Sequence, residues 1–260
     1  MPISVVTRAY RTSELRNLVL SLQSNHEIEK EIIAVCKIED CKLNSAQSLE
    51  LILEDSNRFR ARITGIKLST YGKILLLDSD QIPQEGLLSE LDNRTEDMVI
   101  IPEKSLNSNW IGKCLDDWRL RNERMAMEEP TPFIPVIPRF YTAEKLKKTI
   151  DRLPHQALEI ISHEDSVLYY EVFKETQLIG FSKHYILNDD PHFSTLMRKA
   201  FLYGKYQREA DSLIISDDLF KLIDALNKST LNFKELGVGK GFIIQVLRGM
   251  MYEIGRLSGV

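Results

Sequence analysis

Four apolar residues in a row, Ile74-Leu75-Leu76-Leu77, run directly into Asp78-Ser79-Asp80. The run reads as a buried strand, and the D-x-D as the turn where it ends. Side chains alternate along a strand, so Asp78 and Asp80 fall on the same side. Two carboxylates placed this way can share one hard cation. Magnesium or manganese takes oxygen ligands and leaves positions open for substrate phosphates. Open α/β sheets hold their ligands at the same carboxyl edge. A solvated acidic turn has the same letters, so the rest of the chain must decide between the two.

The segments before that strand alternate in period. Ile3 to Thr7 is a short apolar strand. Ser13 can cap a helix running to about Ser24, with Leu15, Leu18, Val19 and Leu22 on one face. Glu31 to Val35 is a second strand, and Leu51-Ile52-Leu53 a third. Arg60 to Thr70 has helical character, with Gly72 as a C-cap. Lys73 to Leu77 follows, then a helix from Pro83 to about Leu91, and a strand at Met98 to Ile101. Alternation of this kind predicts an α/β fold: a mostly parallel sheet flanked by helices. Trp110 to Met127 reads as a helix. Pro130, Pro132, Pro135 and Pro138 then impose an extended stretch. Helices are expected over Thr142 to Ile150 and Glu164 to Lys174, and a strand over Ile179 to Tyr185. From Ser194 the pattern is helical. The expected division is a catalytic domain over residues 1–210 and a helical segment over 211–260.

The 260 residues, 43% hydrophobic and 28% charged, suit an ordinary globular chain. A net charge of -4 argues against general nucleic-acid binding, which wants a basic face. No apolar run is long enough to span a bilayer. The first strand begins almost at once, so no signal peptide is expected. Cys36, Cys41 and Cys114 form neither a disulfide framework nor a zinc-site spacing. A cytoplasmic location follows from these points.

Three downstream features complement the two aspartates. Glu164-Asp165 opens a helix, where the positive end of the dipole keeps a carboxylate ionised. Such a carboxylate can serve as general base toward a hydroxyl. It can equally do no more than stabilise the helix start. His192, in Asp189-Asp190-Pro191-His192, comes just after a strand and offers a third metal ligand. Arg198-Lys199 with Lys205 can neutralise a diphosphate, or form a solvated helix face.

Taken together, these motifs resemble the family 2 glycosyltransferases, inverting enzymes of GT-A fold, over most of the first 206 residues. Ile3-Ser4-Val5-Val6-Thr7-Arg8-Ala9-Tyr10 is similar to that family's first strand and nucleotide-binding loop. Ala61-Arg62-Ile63-Thr64-Gly65-Ile66 is similar to its arginine-containing helix. Tyr71 to Asp80 is similar to its D-x-D strand, Glu164-Asp165 to its acidic pair, and Pro191-His192 with Arg198 to Tyr206 to its histidine and basic-aromatic segment. One departure stands out. The family's aspartate after the second strand is replaced by Cys36-Lys37-Ile38, and Glu39 or Asp40 arrives late.

The resemblance implies a nucleotide-diphosphate sugar donor, a divalent cation (manganese or magnesium), and a glycan or lipid-linked acceptor. It implies Asp165 as base. Asp78, Asp80 and His192 would hold the metal. Thr7, Arg8, Tyr10, Asp40, Arg62, Asp78 and Lys199 would contact the donor, and Glu164 and Trp118 the acceptor. Phe133, Phe140 and Tyr141 are either core or acceptor wall. Two rivals remain: a phosphatase of the haloacid dehalogenase type, which also sets D-x-D after an apolar strand, and a degenerate transferase fold that binds without turnover.

Residues 240–257 carry Ile243, Val246, Leu247, Met250, Ile254 and Leu257 at helical spacing, flanked by Lys240, Arg248 and Arg256. Such a helix can pack on its own domain, join a second copy in a homo-oligomer, or lie on the inner face of an anionic membrane.

Overall fold

The computed structural model describes residues 2–25, 28–37, 49–160, 163–212, 217–230 and 240–258, with the backbone alone at 207–212, 217, 220, 224, 227–230 and 240–242. The strands are β1 (Ile3–Ala9), β2 (Lys30–Cys36), β3 (Leu49–Leu53), β4 (Lys73–Asp78), β5 (Gln81–Pro83), β6 (Met98–Ile100), β7 (Glu103–Ser105), β8 (Pro138–Thr142), β9 (Ile179–Phe181) and β10 (Ile186–Asn188). The helices are α1 (Thr12–Gln23), α2 (Arg58–Leu68), α3 (Leu87–Asp92), α4 (Trp110–Glu128), α5 (Ala143–Ile150), α6 (Glu164–Phe173), α7 (Phe193–Ser212), α8 (Asp217–Thr230) and α9 (Lys240–Leu257).

The chain divides into two compact units that interleave in sequence. One comprises Met1–Glu103, Ile137–Leu153 and Glu171–Asn188; the other Lys104–Val136, Pro154–Tyr170 and Asp189–Val260. Residues 210 and 211, where a boundary was expected, both belong to the second unit.

The first unit is built on a seven-stranded sheet of order β3-β2-β1-β4-β8-β6-β9. β1 pairs parallel with β2 and β4, β2 with β3, and β6 with β9; β8 runs antiparallel between β4 and β6. This is the mixed, mostly parallel sheet with flanking helices that the alternation predicted. Its central strands are apolar because helices cover them. Leu15, Leu18, Val19 and Leu22 of α1 join Ile3, Val5, Ile32, Ala34, Leu75 and Leu77 in one buried cluster. On α2, Gly65 lies so close to the sheet that a Cβ there would stand 2.5 Å from Val6 Cγ1.

Several boundaries differ from expectation. Helix α1 begins at Thr12, with Arg11 at the cap position and no side-chain cap bond, so Ser13 lies inside the helix. Helix α2 starts two residues early because Asn57 Oδ1 accepts from the Arg60 N–H at 2.8 Å. Ser69, not Gly72, closes it. No helix starts at Pro83. That residue ends β5, whose antiparallel partner is β10, and Gly86 in the left-handed region (φ 85°) then turns the chain into α3. Of the strand expected over 179–185 only Ile179–Phe181 forms, and a second strand, Ile186–Asn188, begins beyond it. They are separated by a turn in which Glu90 accepts from the Lys183 and His184 N–H groups and the Ser182 hydroxyl.

The second unit is helical. α7 and α9 lie in backbone contact: a Cβ on Gly204 would stand 1.9 Å from Tyr252 O, and one on Gly255 2.0 Å from Phe201 O. Ile244 is fully buried with Cys114, Leu115 and Leu196. Packing on its own unit is therefore realised for one face of α9. Ile243, Met250, Ile254 and Leu257 remain at least half exposed. Leu219, Leu222, Ile223 and Leu226 of α8 are buried. Among the described residues, no helix is long and apolar enough to cross a membrane.

Candidate active site

The parallel register of β1 and β4 sets Arg8 directly opposite Asp78. Both strands therefore deliver their last residues to one carboxyl edge. Three arginines meet Asp78 there. Arg58 Nη2 donates to both carboxylate oxygens at 2.9 and 3.0 Å, and Arg62 Nη2 donates to Oδ1 at 2.7 Å. Arg139 Nη2 stands 3.7 Å from Oδ2. Arg58 and Arg62 are four apart on α2 and share one face. Arg139 comes from β8, the antiparallel neighbour of β4. Burial by itself would raise the Asp78 pKa; the Arg58, Arg62 and Arg139 guanidiniums outweigh it and hold the carboxyl far below the ordinary carboxylate range.

The turn after Asp78 is tied down by one amide. Gln81 Oε1 accepts from the Asp78 N–H at 2.9 Å. Its Nε2 donates to Asn188 Oδ1 at 2.8 Å and to Glu103 Oε1 at 3.3 Å. Asn188 Nδ2 donates to Glu103 Oε2 at 3.1 Å, and Arg139 donates to Glu103 Oε1 from Nε and Nη2 at 3.0 and 2.9 Å. Ser79 Oγ donates to Glu14 Oε2 at 3.2 Å. Asp80 sits half-buried inside this fixed turn.

On β1, Thr7 is buried, and its hydroxyl has no hydrogen-bond partner among the described residues. Arg8 donates from Nη1 to Ser56 O at 2.8 Å, and its guanidinium lies 4.8 Å from the centre of the Tyr10 ring. Tyr10 is 48% exposed. The end of β1 thus offers a buried hydroxyl, a cation and an open aromatic face. Asp40, expected to contact the donor, and its neighbour Glu39 lie outside the described residues.

Glu164, Asp165, His192, Lys199 and Trp118 belong to the second unit. His163 precedes α6 with φ 65°, the positive-φ non-glycine residue among those described. Its carbonyl accepts from the Val167 N–H at 2.9 Å, which makes it the helix cap. Strained backbone of this kind is retained where surrounding structure demands it. Here it launches Glu164, which is buried, and Asp165, which is half-buried, on the first turn of α6. Tyr169, one turn on, is buried, and burial raises its phenol.

His192 is exposed and caps α7, its carbonyl accepting from the Leu196 N–H at 2.9 Å. The segment before it is anchored. Arg119 donates to both oxygens of Asp190 at 2.8 and 2.6 Å, and Asn107 Nδ2 donates to Asp190 O at 3.1 Å. Lys199 is exposed and Trp118 half-buried. Phe140 and Tyr141 are core residues of β8, whereas Phe133 is exposed and meets Tyr170 edge-on at 6.1 Å.

Among the described residues, no three His, Cys, Asp or Glu side chains converge as a metal-ligand group. Both oxygens of Asp78 serve arginines, so this carboxylate is not presented to a cation. The half-buried Asp80, in a rigid turn, suits magnesium or manganese in the one-carboxylate mode, where water and substrate phosphates complete the shell.

Sequence reasoning missed Arg58, Gln81, Glu103, Arg139 and Asn188. Arg58 had a signal, its four-residue spacing from Arg62. The others are recruited by strand pairing, which leaves no local mark.

No protein-family model matches the chain, and no curated protein does. Solved structures do. TarS from S. aureus (residues 1–349) matches with TM-score 0.54 and 14% identity, over 98% of this chain and 90% of that one. Its complex with UDP-GlcNAc gives 0.55 and 16%, over 94% and 79%. Against a longer TarS chain the coverage is 55% of that chain. The mannosyltransferase PcManGT from Pyrobaculum calidifontis, in complex with GDP-Man and Mn2+, gives 0.58 and 11%, over 99% and 76%. These likenesses establish the fold as that of GT-A glycosyltransferases.

Proposed function

We propose that this chain is an inverting glycosyltransferase that moves a sugar from a nucleotide-diphosphate donor to an acceptor hydroxyl. The observation that carries the reading is the D-x-D turn, fixed at the carboxyl end of β4 in a sheet of GT-A type, beside the buried Thr7 hydroxyl and the arginines on Asp78. The complexes of TarS with UDP-GlcNAc and of PcManGT with GDP-Man and Mn2+ support it.

In this reading Thr7, Arg8, Tyr10 and Arg62 bind the nucleotide, the Tyr10 face stacking and the guanidiniums meeting oxygens. Asp40 would contact the nucleobase. Asp78 acts through its arginines, holding Arg58 and Arg62 toward the donor. Asp80 would hold a divalent cation; His192 is the further ligand that the family resemblance implies. When bound, that ion neutralises charge on the departing nucleotide. Lys199 contributes charge to the same end. Asp165 takes the proton from the acceptor hydroxyl, which attacks the anomeric carbon from the face opposite the nucleotide and inverts it. Glu164 and Trp118 bind the acceptor, a glycan or lipid-linked hydroxyl. A phosphatase reading needs Asp78 as an open nucleophile, and its two arginine-bound oxygens disfavour that.

The test is calorimetric titration of UDP, GDP and dTDP, with and without manganese, on wild type and Asp80→Ala. Metal-dependent binding of one nucleotide, lost in the variant, is expected. No binding of any nucleotide under either condition overturns the reading.

A further inference from the structure

One cation in the second unit has no counter-charge of its own. Arg248 of α9 is half-buried, with its guanidinium 5.8 Å from the centre of the Trp118 ring on α4. Its hydrogen bond is a long one, Nη1 to Gln245 Oε1 at 3.5 Å. Among the described residues it makes no ion pair. Asp190 is close enough to favour its charge, but both Asp190 oxygens are taken by Arg119. Burial is the main cause that lowers the Arg248 pKa; Tyr203 favours its charge and Arg119 opposes it. One turn back on α9, Gln245 is buried, and its Nε2 donates to nothing among the described residues.

A desolvated guanidinium without an acid is costly, and a buried amide donor without an acceptor adds to the cost. Both costs are relieved by the same kind of ligand: an oxyanion. The indole ring alongside adds a flat apolar face of the kind that sugars and rings stack on. The cluster also borders the Asp190 anchor, two residues before His192.

We propose that Arg248, Gln245 and Trp118 form a subsite for an oxyanion, phosphate or carboxylate, carried by the acceptor. The assignment to the acceptor rests on the transferase reading; the anion site itself does not. It also turns Arg248 inward, away from the membrane-facing role its sequence position suggested.

The chain has two tryptophans, so Trp110→Phe leaves Trp118 as the sole indole reporter. In that background, inorganic phosphate, glucuronate and glucose are titrated at constant ionic strength while Trp118 emission is followed. A saturable response to phosphate or to glucuronate, and none to glucose, is expected; the anion that responds identifies the acceptor's acidic group. Arg248→Met, which keeps the packing on Trp118, should weaken half-saturation by about tenfold or more, and Arg248→Lys should recover part of it. Thermal melts of both variants report folding. No saturable response to either anion, or equal responses in wild type and Arg248→Met, overturns the subsite.

The titration is repeated with saturating nucleoside diphosphate. A persisting response supports the acceptor assignment; displacement of the anion by nucleotide overturns it. If no nucleotide binds at all while the anion response stands, the transferase reading fails and the anion site survives it.

Discussion

Arg58 closes both oxygens of Asp78 with a single nitrogen, at 2.9 and 3.0 Å, while Arg62 takes Oδ1 from the next turn of the same helix. The first aspartate of the D-x-D is thus the hub of a cationic cluster.

That hub makes stability depend on acid. The folded pKa of Asp78 lies below its unfolded value, so its contribution is complete at neutral pH. It is lost as pH falls from about 4 toward the folded pKa. Asp78→Asn should cost about 3 kcal/mol at pH 7, because the buried Arg62 and the half-buried Arg58 lose this carboxylate. The deficit should shrink as pH falls. Melting temperatures from pH 7 to pH 3 check this; a deficit independent of pH contradicts the hub.

A second acid-sensitive knot lies at the turn between β9 and β10. Burial raises the Glu90 pKa, but bonds from His184, Arg94, the Lys183 N–H and Ser182 draw it down to about 2. Its stabilisation is present above about pH 4 and fades as pH drops toward 2. Glu90→Gln should therefore melt lower at pH 7 and converge with wild type in acid. Hydrogen exchange of the Lys183 and His184 amides should quicken in the variant.

The division of labour between carboxylates predicts distinct losses. Asp165→Asn should lower sugar transfer by about 10^2-fold or more while donor affinity holds. Asp80→Ala should lose metal-dependent donor affinity instead. Product formation under single turnover, paired with donor titration, separates the two; near-normal turnover of Asp165→Asn would remove it as base.

Gly65 tests how the arginines are aimed. A Cβ there meets Val6 Cγ1 at 2.5 Å, so Gly65→Ala must push α2 off the sheet. A cost of about 1–3 kcal/mol is expected, together with weaker nucleotide binding, since Arg58 and Arg62 ride on that helix. Loss of stability with unchanged nucleotide affinity would show that the arginines do not set the donor site.

What the sequence disclosed and what it hid follow one physical division. Ile74 to Leu77 and Ile32 to Val35 announced buried strands because apolar runs are a local property. The helix from Trp110 was legible from apolar residues such as Leu115, Trp118 and Met125 set at helical spacing, also a local property. Pro83 misled, because proline begins helices and also ends edge strands, and only β10 decides between the two. The site divided likewise. Asp78, Asp80, Glu164 and Asp165 were visible as motifs, while Arg139, Glu103 and Asn188 become neighbours of Asp78 only through pairing of distant strands. Arg248 was read as a surface charge because helical spacing does not say which side faces Trp118.

The bond from Gln81 to Asn188 spans 107 positions. A nascent chain therefore carries its aspartate motif long before it can brace it. Loop closure of that length comes late in assembly. Strands β1 to β4 can pair as soon as they emerge, yet the turn at Asp80 waits for the strand that ends at residue 188. Any translation product halted earlier would have the β1–β4 sheet and an Asp80 turn without its Asn188 brace.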